Sequence, residues 1–277
     1  MLQTATRLER QLDRDMLGKN GRLWVLAVLA AACIGVALLL PPIAQDPAYH
    51  RFADRRTWFG VPNFWNVLSN LPFVLVGSFG LARLQRSESF PAQSATLVFC
   101  VGVWCVGVGS AYYHQAPSTA SLVWDRLPMT VAFMALFSMV VRDRISERFG
   151  SLMLWPSVLA GAASVAYWYW SELQGRGDLR AYGLVQFLPM LLIASMLILF
   201  RNGQIRAGWM WLSLATYGLA KVAERFDGEI YAVSGIWSGH SFKHLLASLA
   251  VLCALFAVSR GSSQSPHLIS RLSGDDA

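Results

Sequence analysis

The sequence has 277 residues and a formal net charge of +7, with 55% hydrophobic and only 14% charged side chains, and its mean hydropathy is +0.43. A soluble domain carries about 25% charged residues, so this composition excludes an ordinary soluble protein and points to the membrane. The basic residues are scattered singly or in short groups, which argues against nucleic-acid binding and fits the flanks of membrane spans.

A helix crosses the hydrocarbon with about 20 mainly apolar residues. In chain order, eight stretches qualify: roughly 23–43, 63–84, 94–114, 122–141, 151–170, 181–200, 207–224 and 239–259. The first follows a long polar segment, Met1 to Arg22, and no small-residue cleavage site comes after it. It therefore reads as a retained helix ending near Pro41-Pro42 rather than a signal peptide. Lys and Arg are more numerous on the side of the N-terminus, as at Arg7, Arg10, Arg14, Lys19, Arg22, Arg142, Arg144 and Arg148. The positive-inside rule then makes both termini cytoplasmic. Trp155, Trp168, Trp170, Trp209, Trp211 and Trp237 fall near span ends, as an aromatic belt would place them. Cys33, Cys100, Cys105 and Cys253 lie inside apolar runs with neither zinc-knuckle nor disulfide-framework spacing, so they read as free buried thiols.

Against this background the histidines stand out. Ionisable groups at membrane depth are costly and mark functional sites. His240 and His244 are four residues apart and share a helix face. In the predicted topology the third span ends at His114, the fourth begins just before Asp125, and the eighth begins near Gly239. All these residues then meet in the non-cytoplasmic leaflet. Ser110 lies four residues before His114, on the same face, and glycines 102, 107 and 109 allow a neighbouring helix to come close. Each feature has a plainer alternative: a packing seam at Ser110 and His114, an Asp125–Arg126 pair or helix cap, and a chance bis-histidine spacing. Together they ask for a common partner, and three imidazoles with an open fourth position make a catalytic Zn2+ site. Zinc acidifies its water and polarises a carbonyl. Asp125 would then exchange the proton, and Ser110 would donate to the oxyanion.

Other polar residues read more plainly. Lys221, Glu224, Arg225 and Asp227 suggest an ion-pair cluster at the outer rim, with a role in orienting a histidine as the alternative. Lys243 is expected to snorkel away from the site, His50 and His267 to be solvated, and Glu172 to Arg180 to form a hydrophilic turn.

Gly109-Ser110-x3-His114, Asp125-x2-Pro128-Met129 and His240-Ser241-x2-His244-Leu245 resemble, in order and spacing, the alkaline ceramidases of the CREST superfamily of seven-helix intramembrane hydrolases. Asn63-Phe64-Trp65-Asn66-x2-Ser69-Asn70 is similar to the segment that opens that family's first helix. The resemblance covers about residues 60–260. It implies an all-α, multi-pass transmembrane bundle: a polar N-terminal segment (1–22), one extra N-terminal transmembrane helix (23–43), a seven-helix core (44–260) and a polar tail (261–277). It also implies zinc on His114, His240 and His244, Ser110 and Asp125 as catalytic residues, and hydrolysis of the amide of a ceramide-like lipid entering from the bilayer. Hydrolysis of another acyl lipid, an ester, or a zinc-stabilised lipid receptor without turnover remains open. The calcium site of the animal and fungal enzymes is not carried over, because the stretch Asp54 to Asn63 holds one acidic residue and two arginines.

Overall fold

Pro41-Pro42, the serines at 118 and 146, and the glycines at 175 and 235 punctuate the chain, and between such breaks nearly everything is helical. The structure, a computed structural model, describes residues 2–85 and 93–258, the side chains of residues 2–17 and 85 excepted. Ten α-helices follow one another: α1 (Leu2–Leu39), α2 (Phe64–Leu68), α3 (Leu71–Gln85), α4 (Gln93–Gln115), α5 (Thr119–Arg144), α6 (Glu147–Leu173), α7 (Arg180–Leu199), α8 (Ala207–Arg225), α9 (Asp227–Ser234) and α10 (Gly239–Val258). No strand occurs among the described residues, and the protein is an all-α multi-pass bundle. His267 and the tail 261–277 lie outside the described residues.

Among the described residues, seven helices are long and apolar enough to cross a membrane: the Gly18–Leu39 part of α1, the α2–α3 pair, α4, α5, α6, α7 and α10. The seventh expected span, 207–224, is α8, which is helical as expected but does not reach that hydropathy, since Lys221 and Glu224 lie within its last turns. Pairing with Lys243 of α10 explains their place in the bundle. The second expected span is broken at Ser69-Asn70 into α2 and α3.

Capping fixes the starts of the two longest core helices. Ser118 forms a capping box with Ser121 before α5, and Ser146 accepts from Phe149 N before α6. Asp125 therefore lies well inside α5 rather than capping it. Among the spans, α5 is the most buried and α1 the least. Helix α5 packs on α4, α6 and α7, whereas α10 packs chiefly on α8, and α1 rests on α7.

Two glycines set the approach of helices near the end of the bundle where α4 finishes and α5 and α10 begin. Pro128 has no N–H for the Trp124 carbonyl four residues back. Gly109 of α4 fits against that carbonyl: a Cβ there would stand 2.0 Å from Trp124 O. A Cβ on Gly239 would stand 2.2 Å from Ala223 O, so α10 begins hard against the end of α8. Any larger residue would force the helices that carry the site apart.

The Glu172–Arg180 turn is not a plain hydrophilic connection. Glu172 Oε1 accepts from Gln45 N at 2.7 Å and Trp168 Nε1 at 3.1 Å. Leu179 N donates to Ile43 O at 2.8 Å, and Arg180 Nη1 donates to Leu40 O at 2.7 Å. These bonds tie the exit of α1 to the core. Trp168 is fully buried, so it leaves the expected aromatic belt, because Glu172 and Arg126 hold it inside. The four cysteines are free thiols, with Cys100 and Cys253 buried.

Asp178 makes this turn sensitive to acid. The Arg180 guanidinium, which holds it at 2.8 Å, keeps its carboxyl down to about 2 from an ordinary 3.8. A carboxyl lowered by folding contributes stability above its unfolded pKa and loses it as pH falls through the folded value. The difference in thermal midpoint between wild type and Asp178→Asn should therefore shrink between about pH 5 and pH 2. A constant difference across that range would show that the pair contributes nothing.

Candidate metal centre

His114 stands near the end of α4, and His240 and His244 stand in the first two turns of α10. All three are buried, and one ligand atom from each lies within 4.8 Å of the others. Their ring centroids are 4.9, 4.9 and 5.0 Å apart. His114 Nε2 and His244 Nε2 face each other at 3.3 Å. Such a group could hold a metal ion, and it is the one cluster of that kind among the described residues.

The segment that opens α2 holds these rings in place. Ser69 Oγ donates to Asn66 O at 3.1 Å and so accepts from His244 Nδ1 at 2.7 Å. That assignment puts the His244 proton on Nδ1 and leaves the lone pair of Nε2 directed at His114. Asn63 sits in the left-handed region at φ 49°, which asparagine tolerates, and its amide donates to His114 O at 2.9 Å. Asn66 Oδ1 accepts from Ser241 Oγ at 2.9 Å. Asp227 accepts from His240 N at 2.7 Å and Ala53 N at 2.9 Å, which pins the start of α10. The Phe52 ring lies 4.6 Å from both His114 and His240. His114 Nδ1 is buried with no hydrogen-bond partner among the described residues.

Ser110 and Asp125 come together as a consequence of the Gly109–Trp124 approach. Both are buried, and both line the same cavity. Asp125 makes no ion pair with Arg126. The guanidinium turns the other way, bonding Gln45 Oε1 at 2.7 Å and stacking 4.2 Å from the Trp168 ring centre.

Three expectations are corrected here. Lys243 does not snorkel to the interface. Its ammonium meets Glu224 Oε1 at 2.8 Å and His240 Nε2 at 3.3 Å, because it is three residues from His240 and the carboxylate on α8 draws it inward. Glu224 also pairs with Lys221 and accepts from Tyr49 OH, so the rim cluster extends to the histidines. His50 is half-buried rather than solvated, with Nδ1 3.0 Å from Tyr113 OH. Burial and then the Arg126 charge push its pKa down. Asp54, the one acidic residue of the 54–63 stretch, is held by the Arg56 guanidinium at 2.7 Å.

Beside the histidines lies a cavity of about 590 Å³, within the range of about 300–1,000 Å³ usual for small-molecule sites. Ser110, Asp125, Arg126, Glu224, Lys243 and His244 line one part of it, while His114 and His240 do not reach its surface. The remainder is mostly apolar, with Val36 and Ala37 from α1, Met129 and Phe133 from α5, and Phe187 and Leu191 from α7. Helix α1 is thus part of the cavity wall.

Fold and site together define a multi-pass helical membrane protein with a buried three-histidine group beside a largely apolar cavity. A family model described as ceramidase matches residues 60–223, and the chain belongs to the ceramidase family. Membership makes it a hydrolase with a lipid substrate. The match includes Ser110, His114 and Asp125 and ends before His240 and His244. No curated protein matches the chain.

Sequence reasoning did not find Ser69, Phe52 or Lys243. Ser69 was within reach, since it belongs to the Asn-rich motif quoted above. Lys243 was hidden by the custom of sending lysine to the interface. The burial of Glu224 between two lysines has a measurable consequence. Glu224→Gln leaves two part-buried ammonium groups without a counter-charge, a loss of about 3–5 kcal/mol in unfolding free energy. Denaturation of purified protein in detergent checks this; a loss below about 1 kcal/mol would mean that water, not Glu224, solvates the lysines.

Proposed function

We propose that the protein is an intramembrane zinc-dependent amidase that hydrolyses a ceramide-like lipid to a fatty acid and a sphingoid-type amine. One observation carries this reading: the buried three-histidine group stands beside a largely apolar cavity that His244, Ser110 and Asp125 line together.

The donor set fits zinc. It contains only imidazoles and is buried, with His244 at the surface of the cavity from which a fourth ligand would come. Two nitrogens bound at about 2.0–2.1 Å to a tetrahedral ion lie about 3.3–3.4 Å apart, and His114 Nε2 and His244 Nε2 are 3.3 Å apart. Bound by His114, His240 and His244, zinc would supply an acidified water and a Lewis acid for the amide carbonyl.

The chain's own residues do the rest. Asp125 faces the cavity and takes a proton from the attacking water as the new C–O bond forms. It returns that proton to the amide nitrogen when the C–N bond breaks and the amine departs. Ser110, which lines the cavity with Asp125, turns its one hydroxyl proton to the oxyanion that develops on the carbonyl oxygen. Apolar side chains of α1, α5 and α7 receive the acyl chain, which enters sideways from the bilayer. Under the positive-inside rule both termini face the cytoplasm and the site opens toward the non-cytoplasmic leaflet.

Purified protein should carry about one zinc per chain. His244→Ala should lose both metal and hydrolysis. Asp125→Asn should keep the metal while its turnover falls by about 10²–10⁴. A screen of matched amide and ester lipids checks the bond type. Metal-free protein with undiminished turnover would overturn the mechanism, and Asp125→Asn with unchanged lipid binding and unchanged turnover would remove the role of the carboxylate.

A further inference from the structure

Arg126 is a charge that the fold does not neutralise. The residue is 5% exposed, and a guanidinium stays charged in any protein environment. Its Nη2 donates to Gln45 Oε1 at 2.7 Å, whereas Nη1 is buried with no partner among the described residues. The aromatic rings of Trp168 and Tyr182 lie 4.2 and 4.6 Å from its central carbon and hold the group flat. None of the ion pairs of the described residues includes it. Removing a charge from water costs several kcal/mol unless it is paired, so the second edge of this fork calls for an acceptor.

The surroundings make that acceptor anionic. Arg126 lines the same cavity as Ser110, Asp125 and His244. Lys221 and Lys243 share the single carboxylate of Glu224, and Asp125 is the other carboxylate in the wall. With Arg126 these make three cations against two anions, leaving one positive charge over. Arg180, which also lines the cavity, is matched by Asp178.

We propose that Arg126 binds an oxyanion on the amine half of the substrate, so that the preferred lipid amide carries a carboxylate or phosphate close to the scissile bond. This rests on the amidase reading above and narrows its substrate class. A planar two-nitrogen fork suits both oxyanions, and Arg126 is then a specificity residue rather than a member of the proton-transfer pair.

The experiment compares three lipids of one acyl chain: an N-acylglycine, a ceramide 1-phosphate and the neutral ceramide. Binding is measured at equilibrium and hydrolysis separately, with wild type, R126Q and R126K purified in detergent. Wild type should bind one or both anionic lipids at least about tenfold more tightly than the neutral one, the size of one charge-assisted hydrogen bond. R126Q should lose that preference, through KM, with a loss toward the anionic lipids at least about tenfold larger than toward the neutral one. R126K should keep part of it. Which anionic lipid wins identifies the carboxylate or the phosphate as the ligand. Equal affinity of wild type for all three overturns the proposal without any variant, so a misfolded R126Q does not decide it. An equal loss by R126Q toward charged and neutral lipids would make Arg126 a packing residue and also overturn it. If none of the lipids is cleaved but the charge preference holds and R126Q abolishes it, the amidase reading fails and the anion site stands.

Discussion

A polar group at membrane depth must find its partner inside the protein, because lipid offers none. At the histidine end of this bundle the partners form one connected set. Ser69 holds His244, Asn63 holds the His114 carbonyl, Asp227 holds the start of α10, and Glu224 joins Lys221 to Lys243 beside His240. The same residues that make the bundle tolerable also aim the imidazoles. Gly109 and Gly239 permit it by letting α4 meet α5 and α10 meet α8 without an intervening side chain. Stability and chemistry share one lattice here.

The cavity shows how the two ends of the substrate problem meet. Its apolar walls come from several helices, including α1, which packs on α7. Bonds from Arg180, Leu179 and Glu172 fasten the exit of α1 to the α6–α7 turn. Gln45, just beyond that exit, also holds Arg126. The additional helix is thereby linked to the polar part of the cavity and not only to its greasy part.

Much of this was legible in the amino-acid sequence because membrane burial makes polar residues conspicuous. His240 and His244 share a face by spacing alone, and counting spans brought His114, Ser110 and Asp125 to the same end. The all-α bundle follows from the apolar runs. What stayed hidden depends on contacts between helices. Lys243 turns inward because Glu224 waits on α8. Trp168 leaves the interface because Arg126 needs its face. His50 is sheltered by Tyr113, and the Glu172–Arg180 turn looks hydrophilic only until Gln45 and Leu40 are laid against it. None of these choices has a periodicity. Each is settled by a partner more than ten residues away or by a neighbouring charge.

X-ray absorption at the zinc edge, on protein purified without added metal, tests the central claim most directly. The account predicts about three imidazole nitrogens at about 2.0–2.1 Å with one further light-atom ligand and no sulfur. A sulfur shell near about 2.3 Å, or a sample with no bound metal, would contradict it.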